Sequence, residues 1–143
     1  MRLAWVCLIS CFLAMFACAE TIDLKVGQTW TFKNAPHPDT RIVIGKIEQL
    51  WDGRETAVSV SVVNLNTDRG LMVGGTISHL PFAAKSIRPY LLALDNPPLE
   101  TDSEFEDGYQ TWKYAIENEG AGVFTISPAE AIDLTMNMVW EGQ

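Results

Sequence analysis

His79 is the residue of this chain whose type and position are best suited to proton transfer. It lies in Ser78-His79-Leu80-Pro81-Phe82, which we expect to join the last strand of a sheet to the first helix. Loops that follow strands often carry functional side chains, and a histidine there can act as a general base. No GxSxG elbow, HExxH pair or other partner at a defined spacing accompanies it. The pattern favours a locally hydrogen-bonded His79, with a small hydrolase that uses this residue as an alternative.

A run of acidic side chains between Glu100 and Asp107 supplies oxygen ligands of the kind that calcium prefers. Asp102 and the two acidic residues that follow it at alternate positions match the start of an EF-hand loop. The match then fails, because Gly108 comes one residue late and Lys113 occupies the twelfth position, where a bidentate glutamate is required. The helix dipole favours acidic residues at a helix start in any case. We predict a helix start here, no metal site and no cofactor.

All three cysteines, Cys7, Cys11 and Cys18, lie near the N-terminus. A domain that begins at residue 20 contains none of them, so its chemistry excludes a cysteine nucleophile, a thiolate zinc site and a redox CxxC pair. Such a domain depends on burial and hydrogen bonds for its stability, without disulfides.

The N-terminus has the organisation of a secretory signal peptide. Arg2 precedes an uncharged apolar run from Leu3 to Phe16, and Ala17-Cys18-Ala19 supplies small residues at the positions that a signal peptidase reads. The run is shorter than the roughly 20 residues that a transmembrane helix needs. We therefore predict a signal peptide over residues 1–19, a single domain over 20–143, and no transmembrane span in the mature chain. The expected location is periplasmic or secreted.

A second cleavage site is an alternative. Met15-Phe16-Ala17-Cys18 resembles the bacterial lipobox, in which the cysteine becomes the lipidated first residue of the mature protein. Met15 stands where leucine is usual and Phe16 where a small residue is usual, so ordinary cleavage after Ala19 is favoured. Lipidation at Cys18 would make the protein a membrane-anchored lipoprotein.

The chain is acidic, with a formal net charge of −8 at pH 7. No cluster of lysine and arginine offsets this charge locally. An acidic field repels nucleic acid and anionic lipid, so the composition argues against a nucleic-acid partner. A basic protein partner is compatible with it.

The first part of the mature chain has the two-residue period and the turn signals of an antiparallel meander. Strands are expected over Thr21 to Lys33, Arg41 to Trp51, Glu55 to Leu65 and Leu71 to Ser78. Asp52-Gly53 is a typical hairpin turn. The apolar positions of the second strand change parity at Gly45, which indicates a β-bulge.

Helical spacing follows in the second part of the chain. Two apolar stripes predict two helices: Ile87, Tyr90, Leu91 and Leu94 in the first, and Phe105, Tyr109, Trp112 and Ile116 in the second. Ser103 and Glu106 predict a capping box for the second helix, a short strand is expected over Gly122 to Ile126, and Ser127-Pro128-Ala129-Glu130 begins a C-terminal helix. The order indicates an α+β domain, an antiparallel meander of about four strands followed by two helices, a short strand and a C-terminal helix, with the helices packed on one sheet face.

Two regions are candidate interaction surfaces. Trp51 and Arg54 flank the Asp52-Gly53 turn, and both residue types are enriched at interface hot spots. The acidic start of the second helix is the other region. The candidate binding residues are Trp51, Arg54, His79, Glu104, Glu106 and Asp107.

Four strings span most of the mature chain. They are Val26-Gly27-Gln28-Thr29-Trp30-Thr31-Phe32, His79-Leu80-Pro81-Phe82, Gly108-Tyr109-Gln110-Thr111-Trp112-Lys113 and Gly120-Ala121-Gly122-Val123-Phe124-Thr125-Ile126. Their order resembles that in a group of small uncharacterised exported bacterial proteins. The resemblance implies a bacterial origin and a single α+β domain. No activity is known for the group, so the resemblance implies no catalytic or binding residue.

These observations favour an exported bacterial envelope protein that acts as a small non-catalytic binding module, of the inhibitor or immunity type, with a protein partner. A lipidated envelope accessory protein and a small hydrolase that uses His79 are the alternatives.

Overall fold

The computed structural model describes residues 21–66 and 75–141. The predicted signal peptide, Cys18, and the beginning of the predicted fourth strand lie outside these residues. The strands are β1 (Thr29–Phe32), β2 (Arg41–Leu50), β3 (Glu55–Val63), β4 (Ile77–Ala83) and β5 (Leu91–Leu94). The helices are α1 (Ala84–Ile87), α2 (Phe105–Asn118) and α3 (Pro128–Glu141), and a 3₁₀ turn over Arg88–Tyr90 follows α1. The α+β class is confirmed.

The five strands form one antiparallel sheet in the order β4-β3-β2-β1-β5. The first four strands make the expected meander, and the bulge at Gly45 is confirmed by the register shift between Ile44 and Lys46. The 10-residue β2 and the 9-residue β3 form its longest hairpin. Their turn has positive φ angles at Trp51, Asp52 and Gly53, which turn-forming residues tolerate.

The prediction of a helix through Leu94 is wrong. The helix ends after one turn, and the chain enters β5, where Leu91 pairs with Phe32 of β1. Pro89 has no N–H to donate, and Leu91 is buried equally well as a strand residue, so pairing with β1 prevails over helical spacing. β5 is bulged against β1, and the Thr31 hydroxyl receives a hydrogen bond from Ala93 N at 3.1 Å.

Helices cover both faces of the sheet, which corrects the prediction that they pack on one face. Val58, Val60 and Val62 of β3 face the main core, to which Ile87 of α1 and Ile132 of α3 belong. The alternate residues of β3 face the other way, where α2 packs its apolar stripe of Phe105, Tyr109 and Trp112 with Ala57. The second face therefore combines Leu50 of β2 with small and polar strand residues below an aromatic helix.

Two glycines allow α2 to lie close to this second face. A Cβ on Gly45, at the bulge of β2, would overlap the ring of Phe105. A Cβ on Gly108 of α2 would lie 2.8 Å from the Cβ of His79 in β4. Real side chains do not reach such separations, so both positions require glycine for a steric reason rather than for a backbone conformation.

Buried hydroxyl groups attach the segment between β5 and α2 to the same face. Thr29 Oγ1 receives a hydrogen bond from Leu99 N at 2.8 Å. Ser61 Oγ donates to Ser78 O at 2.8 Å and receives from Asp102 N at 3.0 Å. Each hydroxyl therefore satisfies a backbone group of a loop that contributes few apolar contacts of its own.

The helix starts differ from each other. The capping box of α3 is confirmed, because Ser127 N donates to the Glu130 carboxylate at 3.0 Å and Glu130 N donates to Ser127 Oγ at 3.2 Å. The predicted capping box of α2 is wrong, because its N-cap is Glu104, without a side-chain cap. The predicted strand over Gly122 to Ile126 is reduced to one parallel bridge between Phe82 and Phe124.

β4 carries a proline because it lies at the edge of the sheet. Pro81 O accepts a hydrogen bond from Phe124 N at 2.8 Å, and Ala83 N donates to Phe124 O at 2.9 Å. The segment around Phe124 thus covers this edge, and Pro81 does not interrupt an interior ladder.

Gly45→Ala is expected to destabilise the protein by about 2 kcal/mol or more, because the new methyl group displaces the Phe105 ring and with it the first turn of α2. Gly122→Ala is the matched control, since nothing lies within 4 Å of a Cβ at Gly122. The measurement is urea-induced unfolding followed by tryptophan fluorescence. Equal free energies of unfolding for the two variants would contradict the steric role of Gly45.

Candidate functional site

His79 lies within β4 and not in the predicted junction between the sheet and the first helix. The β4 strand continues to Ala83, because Phe82 pairs with Val58 and Leu80 with Val60 in the main core. His79 and Pro81 point to the opposite face, below α2. The residue is thus a strand residue covered by a helix rather than a loop residue.

Three aromatic rings of α2 surround the imidazole. The ring centroids of Phe105, Tyr109 and Trp112 lie 5.6, 6.0 and 5.5 Å from that of His79. His79 Nε2 is 3.0 Å from Ser59 Oγ, on the neighbouring strand β3. The imidazole therefore fills the space that the closely packed Gly108 leaves between helix and sheet.

This environment keeps the imidazole neutral. Burial is the main cause that lowers the pKa of His79, from 6.5 to about 4, and the positive charge of Lys46 lowers it further. At neutral pH the ring is a neutral donor and acceptor, with one nitrogen engaged by Ser59.

The Ser59–His79 pair has the composition of a nucleophile and a base but not their setting. Ser59 is 1% exposed, beneath α2, so a substrate cannot reach its hydroxyl without displacement of the helix. Among the hydrogen bonds of residues 21–66 and 75–141, none joins His79 to a carboxylate that would orient it. A base with so low a pKa is also a weak proton acceptor at neutral pH. The geometry favours a packing role for this pair.

Charged residues form a second layer at the sheet–helix junction. Lys46 Nζ lies 2.9 Å from Glu106 Oε1 and 3.8 Å from the centroid of the Tyr109 ring. Tyr109 donates its hydroxyl to Glu48 Oε1 at 2.8 Å, and Lys113 Nζ lies 2.6 Å from Glu48 Oε2. Burial, followed by the hydrogen bond to Glu48, raises the pKa of Tyr109 to about 12. The network aligns α2 with β2.

A groove of about 500 Å³ opens beside His79, between β4, α2 and α3. His79 and Pro81 come from β4, Trp112 from α2, Val123 and Phe124 from the segment that covers the β4 edge, and Met138 from α3. Most of these side chains are apolar or aromatic, as is typical of binding grooves. We call this cavity the His79 groove.

Trp51 and Arg54 occupy the predicted place at the β2–β3 turn. The Trp51 side chain is 43% exposed, and Arg54 Nε donates to Trp51 O at 2.8 Å. Arg54 thus stabilises the turn through a hydrogen bond to the turn backbone, and the Trp51 ring faces solvent. The structure gives neither residue a contact with His79 or with the start of α2 among the described residues.

The acidic start of α2 is exposed, as expected. Glu106 accepts hydrogen bonds from Gln110 and Lys46, and these bonds lower the pKa of its carboxyl group. Glu104 and Asp107 are exposed at the first turn of the helix. In the described part of the chain, no three histidine, cysteine or acidic residues come together in a way that could hold a metal ion.

The candidate residues are thus brought together only in part. His79 and Glu106 are linked through Lys46, which contacts Glu106 directly and acts on His79 electrostatically. Ser59, Glu48 and the groove residues Val123 and Met138 were not anticipated. Tyr109 and Trp112 belonged to the predicted apolar stripe, which is the one sequence signal that pointed to this junction.

Comparison of the chain with protein-family models, with characterised proteins and with solved structures finds no significant match. Of the four strings that carry the resemblance described above, three contribute to the His79 groove: 79–82, 108–113 and 120–126. No helix within 21–66 and 75–141 is long and apolar enough to cross a membrane.

We expect His79 to make the stability of the protein dependent on pH. Because its folded-state pKa is below its unfolded value, the unfolded chain binds the proton first as pH falls. The stability that the neutral His79 side chain contributes is complete above about pH 6.5 and is lost as pH falls towards about 4. The expected loss is about 2 kcal/mol, which allows for solvent screening of the partly exposed ring.

The check is the difference in the free energy of unfolding between wild type and His79→Gln, measured across this pH range. His37→Gln, in the loop between β1 and β2, is the control and should follow the wild type. Parallel pH profiles for wild type and His79→Gln would contradict the assignment.

Proposed function

We propose that this protein is an exported, non-catalytic binding module that receives an apolar group of a protein partner in the His79 groove. The single observation that carries the proposal is the groove itself, which has a mostly aromatic and aliphatic lining with two neutral polar side chains, His79 and Thr135. Grooves of this composition bind apolar side chains by removing them from water, with few polar groups to fix their orientation.

One further observation supports a binding role over catalysis. The one serine–histidine pair at the groove has its hydroxyl buried beneath α2, so it is not presented to a ligand. An inhibitor or an immunity-type protein would use such a surface without chemical turnover.

Export is the second element of the proposal, and it rests on the N-terminal sequence alone. Cleavage after Ala19 yields a periplasmic or secreted protein, whereas cleavage before Cys18 with lipidation yields an anchored accessory protein of the envelope. N-terminal sequencing of the processed protein distinguishes the two sites. Labelling with radioactive palmitate supports the lipoprotein if Cys18→Ala abolishes the label.

The binding function is tested by affinity capture from cell-envelope extracts with the tagged, naturally processed protein. We expect a stoichiometric protein partner whose capture is reduced about tenfold or more by Met138→Asp, because the new charge enters the groove. Tyr114→Asp is the matched control, since Tyr114 is an exposed residue of α2 that does not line the groove.

Retention of the partner by Met138→Asp would contradict a role for the groove. A parallel assay separates the enzymatic alternative. Hydrolysis of a chromogenic ester by the wild type that is abolished by both Ser59→Ala and His79→Gln would establish a hydrolase instead of a binding module.

A further inference from the structure

The exposed face of α3 continues from the His79 groove and has an unusual composition. Leu134 and Met138 lie one helical turn apart and are 50% and 63% exposed. Met138 also lines the groove, so the exposed face and the groove are continuous. Two large apolar side chains at this spacing form a short hydrophobic ridge that has no partner in the described part of the chain.

Acidic residues flank this ridge. Glu141 is exposed one helical turn after Met138, and Asp133 is exposed directly before Leu134 in the sequence. Glu130 is exposed there too, although its carboxylate is held by Ser127 at the helix start. The exposed face of α3 therefore presents apolar and negative groups together.

No positive charge compensates these groups nearby in sequence. Residues 114–143 contain no lysine, arginine or histidine, and their acidic residues are Glu117, Glu119, Glu130, Asp133 and Glu141. The one basic residue of α2, Lys113, forms ion pairs with Glu48 at 2.6 Å and Glu117 at 3.9 Å. The field over α3 is thus negative and is not balanced from α2.

We infer that the exposed face of α3 and the adjoining His79 groove bind a basic amphipathic helix of the partner protein. This inference rests on the proposed function and specifies the chemistry of its partner. A helix with apolar residues at i, i+3 or i+4 places them against Leu134, Met138 and the groove, and its lysine or arginine side chains then lie opposite Asp133 and Glu141. The flexible thioether of Met138 adapts to apolar residues of different shape.

Charge excludes two other occupants of this surface. A second copy of the chain would place its own acidic α3 face against this one, so like charges would meet at the interface. An anionic membrane would be repelled for the same reason, and the net charge of the whole chain, −8, adds to the repulsion.

The test uses a fluorescent amphipathic helical peptide composed of leucine and lysine, together with the naturally processed protein. We expect saturable binding in fluorescence anisotropy, and weaker binding as ionic strength rises. A peptide in which glutamate replaces every lysine should not bind. The Leu134→Ser/Met138→Ser variant should bind the lysine peptide about tenfold more weakly or worse.

Charge and apolar contributions are separated by further variants. Asp133→Asn/Glu141→Gln should weaken binding and reduce its dependence on salt, since two negative charges that attract the lysine side chains are removed. Leu92→Ser/Leu94→Ser is the control, because these β5 residues are as exposed, at 57% and 55%, but lie at the opposite edge of the sheet. Circular dichroism and urea unfolding establish that each variant is folded.

Several results would overturn the inference. These are no binding of the lysine peptide, equal loss in the β5 control, dimerisation in sedimentation that depends on Leu134 and Met138, or binding of phosphatidylglycerol vesicles through the same residues. If the peptide does not bind but Met138→Asp still releases the captured partner, the inferred chemistry of the partner is wrong and the proposed function stands. If Met138→Asp also retains the captured partner, the proposed function fails as well.

Discussion

The fold depends on how closely α2 approaches the polar face of the sheet. That approach requires the absence of a side chain at Gly45 and at Gly108, one on the strand and one on the helix. It brings the Phe105 ring over the bulge of β2 and the backbone of α2 onto His79. Once the helix is there, Trp112 reaches the segment that covers β4, where its indole N–H donates to Gly122 O at 2.8 Å. The His79 groove results from this contact, because Trp112 and the segment that covers β4 both line it.

The polar groups of this face explain why a histidine is tolerated there. Ser59 engages one ring nitrogen, and the aromatic rings of α2 exclude most of the solvent around the other atoms. A neutral imidazole satisfies such a site at lower cost than a charged one, since a buried cation would lie close to Lys46. The side chain that suggests catalysis in the sequence therefore fills the space between α2 and the sheet in the folded protein, with a hydrogen bond to Ser59.

Local sequence patterns were sufficient to predict the elements that depend on a few neighbouring residues. The alternation in β3, the parity change at Gly45 and the capping box at Ser127 each act within a few residues, and each was predicted correctly. The helix through Leu94 was wrong because an apolar stripe suits a strand as well, and β1 offers an unpaired edge. The groove could not be predicted at all. Its lining comes from four separate segments, β4, α2, the segment around Phe124 and α3, and no local pattern records their convergence.

The two edges of the sheet are protected in different ways. At one edge, the backbone around Phe124 pairs with β4, and at the other, β5 has only four residues and is bulged against β1. Regular exposed edges act as templates on which chains polymerise into aggregates. The covered β4 edge and the short, bulged β5 therefore make this sheet a poor template for further strands.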